Sequence, residues 1–422
     1  MELLVVADDL TGALDSTAPF LPAPVVVVPS AGGADGYGRS VEQRLERAAD
    51  RAAVVGADTA SREVDEQAAA DQVGRVVRWA RARQRPPLLL KKVDSALRGN
   101  PRAELDAMLA GTGGPVVLCP ALPEQGRVTL GGVQRETRPA RPDGVDVDLR
   151  TVAPRGYRPV PVDATRLRGA ELRGALEGLR SGDVALVDAA SRADLDAVAG
   201  CLSEARDVLV AASSGLVKAL AARRSAGRPH RGVRPHPQLF VTASRHQAVR
   251  AQLARLLAER PDVVLVELDL DAVLSGWTPD HVAAAAHRVG LAVQAGRTCV
   301  LTVPVVASEP TAALSVKRWA SRSISAALAQ VTTVSSSAAP RRPELLVLGG
   351  DLGAAVCAQL DVDLLLLTGE SLSGTVRCSA VPVLGGAGLP VMAFRSGGFG
   401  DDNALLDLVG AHAPVTQGGP LA

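Results

Sequence analysis

Short, unbroken apolar runs alternate along this chain with longer stretches of helical period. The runs at 3–7, 53–55, 88–93, 116–119, 185–187 and 208–211 are built mainly from Val, Leu and Ala, and Gly, Pro or Asp bound them. A strand that is apolar at nearly every position has to be covered on both faces, because a half-exposed strand alternates polar and apolar residues. Helical stretches at 66–83, 102–109, 193–204 and 216–223 lie between the runs. After 263–268 the same rhythm resumes through 281–295, 298–303, 316–330, 345–348, 354–360 and 364–367. This alternation predicts an α/β protein with mainly parallel sheets covered by helices on both faces. At 422 residues the chain has room for two such α/β domains. A basic, Pro- and Gly-rich stretch at 226–238 has no periodicity and reads as a linker. That puts an N-terminal domain at 1–225 and a C-terminal domain at 239–422. Two other segments read as irregular: 127–160 as an excursion from the first domain, and 332–343, with its three consecutive serines, as a disordered loop.

Charge narrows the function. Lys+Arg 46 against Asp+Glu 45 leaves a net charge of +1, so the chain lacks the cationic field that nucleic acid or an anionic membrane would need. Aromatic residues are only 2% of the sequence, too few for a base-stacking surface. No apolar run reaches the roughly 18 residues of a membrane-spanning helix. The N-terminus has no basic region and reads as a buried strand in place of a signal peptide. Five scattered cysteines form no C-x-x-C pair and fit a reducing compartment, so the expected location is cytoplasmic. The six histidines make no zinc pattern, and no residue is assigned to a metal site. The expected partner is a small molecule; the oligomeric state stays open, a homo-oligomer among the options.

In a doubly wound sheet, ligands bind where the strands end, so the residues following each apolar run carry the candidate chemistry. The first run stops at Asp8-Asp9-Leu10-Thr11-Gly12. Paired carboxylates there suit a polyol hydroxyl, a metal or a proton; the local alternative is Asp9 or Thr11 capping the next helix, with Asp15 on its exposed face. The third run ends in Lys91-Lys92-Val93-Asp94-Ser95-Ala96-Leu97-Arg98. Strand alternation sends the two lysines to opposite faces. A lysine at a buried sheet end needs an anion or a carboxylate, and Lys92, Asp94 and Arg98 together suit a small carboxylate or phosphate. A structural Asp94–Arg98 ion pair is the alternative. Another strand end offers Asp58 and Arg62. In the second half, Gly349-Gly350-Asp351 and Arg395-Ser396-Gly397-Gly398 are strand–glycine–helix turns whose backbone amides suit phosphate. Ser244 reads as a helix cap, and His246 as a surface residue. The P-loop, Rossmann and G-x-S-x-G patterns are absent.

Six segments in this order resemble the four-carbon acid sugar kinase family: V-A-D-D-L-T-G-A-L-D (6–15), K-K-V-D-S-A-L-R-G-N (91–100), P-A-L-P-E-Q-G-R (120–127), S-S-G-L (213–216), L-G-G-D (348–351) and S-G-G-F-G-D (396–401). The resemblance implies an N-terminal domain for the acid and a C-terminal domain for ATP with Mg²⁺. It assigns Asp8, Asp9, Asp58, Arg62, Lys92, Asp94 and Arg98 to the acid, and Ser244, Gly349, Gly350, Asp351, Gly397 and Gly398 to the nucleotide. This chain departs from the family pattern at Ala96, Ala243, His246, Leu352 and Arg395. The activity implied is transfer of the ATP γ-phosphoryl to the terminal hydroxyl of a small sugar acid, with Asp9 or Asp8 as base and Arg98, Lys92 and Arg62 on the carboxylate. The alternatives are a metal-dependent aldolase or lyase using Asp8, Asp9 and Asp94 as ligands, and a non-catalytic acid-binding protein with a weakened nucleotide site.

Overall fold

The computed structural model describes residues 1–21, 25–29, 40–110, 113–137, 146–202, 207–224, 238–244, 247–304, 314–338, 343–370, 374–382, 389–396 and 400–409. The linker expected at 226–238 falls outside them except for Gln238, as do Gly397, Gly398 and His246.

Among the described residues the chain forms eighteen strands. In the first half these are β1 (Leu3–Ala7), β2 (Val25–Val28), β3 (Val54–Asp58), β4 (Leu88–Lys92), β5 (Val116–Cys119), β6 (Arg127–Leu130), β7 (Val133–Glu136), β8 (Val147–Asp148), β9 (Arg158–Asp163), β10 (Asp183–Asp188) and β11 (Leu209–Ala212). The second half adds β12 (Leu239–Thr242), β13 (Val264–Glu267), β14 (Cys299–Thr302), β15 (Leu345–Leu348), β16 (Val362–Glu370), β17 (Val376–Pro382) and β18 (Val391–Arg395). Fifteen of them hydrogen-bond into one sheet in the order β13-β14-β12-β15-β18-β17-β16-β2-β3-β1-β4-β11-β5-β10-β9.

This order contains two parallel blocks. From β2 to β9 every pairing is parallel, and so is every pairing from β13 to β18. The antiparallel strands β17 and β16 join them, and β16 pairs antiparallel with β2 at Leu366↔Val26 and Leu365↔Val27. The predicted α/β class with mainly parallel sheets therefore holds, and the two blocks share one sheet. They also share a core: Leu10 and Leu14 of the first half and Leu352, Val356 and Phe394 of the second belong to one buried apolar cluster.

Chain direction fixes where a ligand can sit. In the first block the chain lays β3 and β2 on one side of β1 and β4 on the other, so the crevice opens at the carboxyl end of β1. In the second block β14 and β13 lie on one side of β12 and β15 on the other, which opens a crevice at the end of β12. Helix Leu10–Thr17 leaves β1 and packs on helix Gly350–Gln359, which leaves β15. A Cβ added at Gly353 would lie 3.2 Å from both the Leu10 and Phe394 side chains, so the two helices meet almost backbone to side chain. Both crevices consequently face one another.

Two expectations are corrected here. Residues 332–338 are not a loop but the last turns of helix Leu314–Ala338. Thr332 and Ser335 donate their hydroxyls to the carbonyls of Leu328 and Val331, both at 2.7 Å, which satisfies polar groups inside a buried helix. The segment 127–160 is likewise not patternless: β6 and β7 form a hairpin, β8 adds a third strand, and β9 pairs parallel with β10 at the edge of the main sheet. The hairpin turns on Gly131 and Gly132, with φ of 62° and 76°, the left-handed pair that a tight two-residue turn requires.

Candidate functional site

The first strand ends where it does because Asp9 stops the ladder and caps the next helix. Its Oδ1 accepts the Gly12 backbone N–H at 2.9 Å, and its Oδ2 accepts the Thr11 hydroxyl at 2.7 Å. Asp9 is thus a helix cap and also lines the cleft between the blocks. Arg62 enters from the loop after β3. Its Nε and Nη2 donate to the two Asp8 oxygens at 2.8 and 2.9 Å, its Nη2 also donates to Asp9 Oδ1 at 2.9 Å, and its Nη1 lies 2.9 Å from Asp9 Oδ2. One guanidinium therefore clamps both carboxylates, with Asp94 3.7 Å away. Burial opposes the Arg62 charge, but Asp9, Asp8 and Asp94 outweigh it and hold its proton more tightly than usual.

The third strand end is built the same way. Lys91 points to the far face, fully buried, with Nζ 2.9 Å from Glu104 and donating to the Lys92 carbonyl at 2.9 Å. Lys92 points into the cleft. It is 6% exposed and has no hydrogen-bond or ion-pair partner among the described residues. Asp94 folds the turn after it: Oδ2 accepts the Ala96 N–H at 3.1 Å, and both oxygens accept from the Arg98 guanidinium at 2.9 and 2.8 Å. The turn places Leu97 at φ 55°, a left-handed conformation costly for leucine and kept by the bonds around it. Asn100 ties this turn to the Arg62 loop by donating to the Ser61 and Val64 carbonyls, both at 2.9 Å.

Burial pushes the Asp94 carboxyl up, but the Arg98 hydrogen bond and the charges of Arg62, Arg98 and Lys92 hold it well below the carboxylate range. Asp8 follows the same pattern: burial raises it, and Arg62 with the two lysines brings it below its ordinary value. Groups depressed in the folded state stabilise the fold above their unfolded value, about 3.9, and that contribution is lost as pH falls through the folded values. Stability should accordingly drop once the pH goes below about 4, and Asp94→Asn should flatten that drop. Urea midpoints measured from pH 7 down to pH 2 decide it; equal acid slopes in the two proteins would contradict the assignment.

The second block supplies the opposite wall. Ala243 and Ser244 follow β12, Gly349, Gly350 and Asp351 follow β15, and Ser396 follows β18; all line the same cleft, about 590 Å³ in volume. Gly349 sits at φ 118°, open only to glycine. A Cβ on Gly350 would stand 2.3 Å from Asp9 Oδ2, so the glycine turn of one block rests directly on the aspartate of the other. Gly350→Ala should push them apart and lower kcat/KM by about 10²-fold with the melting temperature little changed. Steady-state kinetics alongside a melt test this; unaltered turnover would show that the close approach has no catalytic consequence. Asp351 opens onto the cleft from the first helical turn. Lost hydration among the surrounding walls, then repulsion from Asp9 and Glu63, raise its carboxyl. Burial pushes the Arg395 guanidinium down to about 10; its Nη2 bonds Gln252, while Nε and Nη1 have no acceptor among the described residues.

Of the residues singled out in the sequence, Asp9, Arg62, Lys92, Asp94, Arg98, Ser244, Gly349, Gly350 and Asp351 therefore surround one cleft. Asp8 stands behind it on Arg62. Asp58 does not line it, and its Oδ1 accepts the Ala60 N–H at 2.9 Å within its own turn. Asp15 is not on an exposed helix face: it is 7% exposed and lines the cleft. Gln125, Arg127 and Ser214 line it too. Residues 120–127 and 213–216 carry the family resemblance, but nothing local in the sequence assigns these three side chains to the site. The Gly131-Gly132 turn was the signal that a hairpin would bring Arg127 back to the strand ends.

Comparison with known proteins agrees with this arrangement. A family profile described as a sugar-binding N-terminal domain matches residues 3–220, and one described as a nucleotide-binding C-terminal domain matches residues 239–405. A D-threonate kinase of Bordetella bronchiseptica is 31% identical over 418 residues, 95% of each chain. The chain belongs to the four-carbon acid sugar kinase family. A D-threonate kinase of Cupriavidus necator is 29% identical with 96% of each chain covered, and a D-erythronate kinase of Heliobacterium modesticaldum is 29% identical over 65% of this chain and 64% of its own. Among solved structures, the Haemophilus influenzae protein HI1011 has a TM-score of 0.62 at 18% identity, covering 97% of this chain and 99% of its own, which shows a common fold. Membership in this kinase family makes the protein a phosphotransferase with an alcohol group as acceptor.

Proposed function

We propose that the protein transfers the γ-phosphoryl of ATP to the terminal hydroxyl of a small sugar acid of the four-carbon type, such as D-threonate. One observation carries the reading: the carboxylate of Asp9 touches the glycine turn Gly349-Gly350, so an acceptor held by the first block lies beside a phosphate held by the second. The domains would divide as 1–225 for the acid and 239–422 for the nucleotide. Lys92, whose ammonium has no hydrogen-bond or ion-pair partner among the described residues, would take the substrate carboxylate, and Arg98, with 63% of its side chain exposed, would extend that grip. Arg62 acts differently from the simple carboxylate clamp that the sequence suggests, because its donors already hold Asp8 and Asp9. It would orient the base. Asp9 would take the proton of the acceptor hydroxyl while that oxygen bonds to the γ-phosphorus; the bond to the β-phosphate oxygen breaks and ADP leaves.

The backbone N–H of Gly350, with Ser244, Gly397 and Gly398, would hold the phosphates, while Gly349, whose own N–H is given to the Arg395 carbonyl at 3.1 Å, would shape the turn. Asp351 lines the cleft from the first turn of its helix, and burial with repulsion from Asp9 and Glu63 raises its carboxyl, so this single carboxylate would meet Mg²⁺ arriving with the nucleotide. Bound there, the metal would neutralise charge on the transferring phosphoryl. The lyase alternative needed Asp8, Asp9 and Asp94 as metal ligands, and Arg62 and Arg98 engage those three carboxylates. ADP release in the presence of ATP–Mg²⁺, with and without D-threonate or D-erythronate, tests the proposal. Release that requires the acid supports it, and release that ignores every sugar acid offered refutes it.

A further inference from the structure

Beyond the groups that would hold carboxylate and phosphate, the cleft has a third wall with unpaired polar atoms. Helix Leu10–Thr17 turns the same face to the cleft at Thr11, Gly12 and Asp15, and Asp15 is one turn beyond Gly12. Asp15 Oδ1 is buried and accepts no hydrogen bond among the described residues; the Lys218 Nζ lies 3.8 Å away. Lys218 also lies 4.0 Å from Glu124, which ties this wall to the 3₁₀ turn Pro123–Gln125. The neighbouring Gln125 is 9% exposed and lines the same cleft. Its Oε1 accepts the Arg127 guanidinium at 3.0 Å, and because an arginine can only donate, that contact fixes which end of the amide is oxygen. Its Nε2 is then buried with no acceptor among the described residues. Ser214 stands at the start of the adjoining helix, where the Ser213 hydroxyl is locked on the Ala121 carbonyl at 2.6 Å.

A buried donor and a buried acceptor without hydrogen bonds among the described residues are costly unless a ligand supplies the complement, and the Lys218 ammonium at 3.8 Å gives Asp15 charge but no hydrogen bond. A hydroxyl is that complement, since it both donates and accepts. We propose that Asp15 and Gln125 form a hydroxyl-reading subsite that selects the acceptor by an alcohol group other than the one phosphorylated. The subsite rests on the kinase reading above and deepens it: the acceptor must be a polyhydroxy acid. A monohydroxy acid would satisfy Lys92 but leave this wall unpaired.

Gln125→Glu tests the donor alone, because the carboxylate keeps an acceptor for Arg127 while Nε2 is lost; Asp15→Asn tests the acceptor. The probes are D-threonate and its 2-deoxy and 3-deoxy analogues, read by kcat/KM with ATP–Mg²⁺ and by calorimetric Kd without nucleotide. In the wild type at least one deoxy analogue should be worse than D-threonate by about tenfold or more. In Gln125→Glu that gap should close by a comparable factor, mostly in KM and Kd, with kcat within a few-fold. Thermal melts confirm that each variant is folded; should one be unfolded, Gln125→Met and the wild-type analogue series carry the same readout. A wild type that phosphorylates D-threonate but treats both deoxy acids alike, or a gap that persists in both variants, overturns the subsite and leaves the kinase reading standing. A wild type that neither binds nor phosphorylates any of the three acids overturns both.

Discussion

Replacing Arg62 with methionine should destabilise the protein by about 3–5 kcal/mol. The guanidinium bonds both oxygens of Asp8 and both of Asp9, and its charge reaches Asp94. All three carboxylates are below 10% exposed, so removing the cation leaves like charges facing one another with little water to screen them. Without Arg62, burial would raise the proton affinity of Asp8 and Asp94, and the variant should answer by binding protons that the wild type releases. Its stability deficit is then largest near neutral pH and narrows on acidification, because protonation removes the repulsion. Arg62→Lys should recover only part of the loss, since a point ammonium does not match two carboxylates with a planar fork. Urea unfolding at pH 7 and pH 5 measures both effects. A methionine variant as stable as the wild type at pH 7 would mean that the carboxylates are neutralised from elsewhere.

Why the acid side could be read in the sequence, and the junction could not, is a matter of range. Asp8, Asp9, Lys92 and Asp94 are polar residues at the ends of apolar runs, so period alone predicts both the strand and the point where it delivers chemistry. The split of Lys91 and Lys92 to opposite faces follows from the same pleat, and the structure bears it out with Glu104 behind the sheet and the cleft before it. By contrast, β2 is a run of four valines between prolines whose significance lies in its pairing with Leu365 and Leu366, more than three hundred residues away. No local pattern encodes that register. Arg62 shows a second limit. Its residue type suits a substrate carboxylate as well as a protein carboxylate, and only the fold reveals that Asp8 and Asp9 reach it first. The serines at 335–337 mislead for a third reason: they favour turns in isolation, yet here they continue a helix in which the Ser335 hydroxyl bonds back to the Val331 carbonyl one turn earlier.

Asp9→Asn should lower kcat by about 10²–10⁴-fold with the acid affinity nearly intact, and because it loosens the other half of the Arg62 clamp it should also lower stability without unfolding the protein. The amide keeps an oxygen for the Gly12 N–H, so the helix cap survives, and Asn is as good a cap as Asp. On the proposed mechanism it would lose the capacity to accept the hydroxyl proton at the point where Gly350 of the second block comes against Asp9. Asp8→Asn should behave differently, since Asp8 stands behind Arg62 and does not line the cleft. Its loss loosens one half of the clamp, so it should cost stability first and turnover second. Measuring kcat, KM for D-threonate and the urea midpoint for both variants separates base from support. If Asp9→Asn retained wild-type kcat while Asp8→Asn abolished it, the proton would have to leave through the residue that the geometry keeps from the substrate, and the assignment of Asp9 would fail.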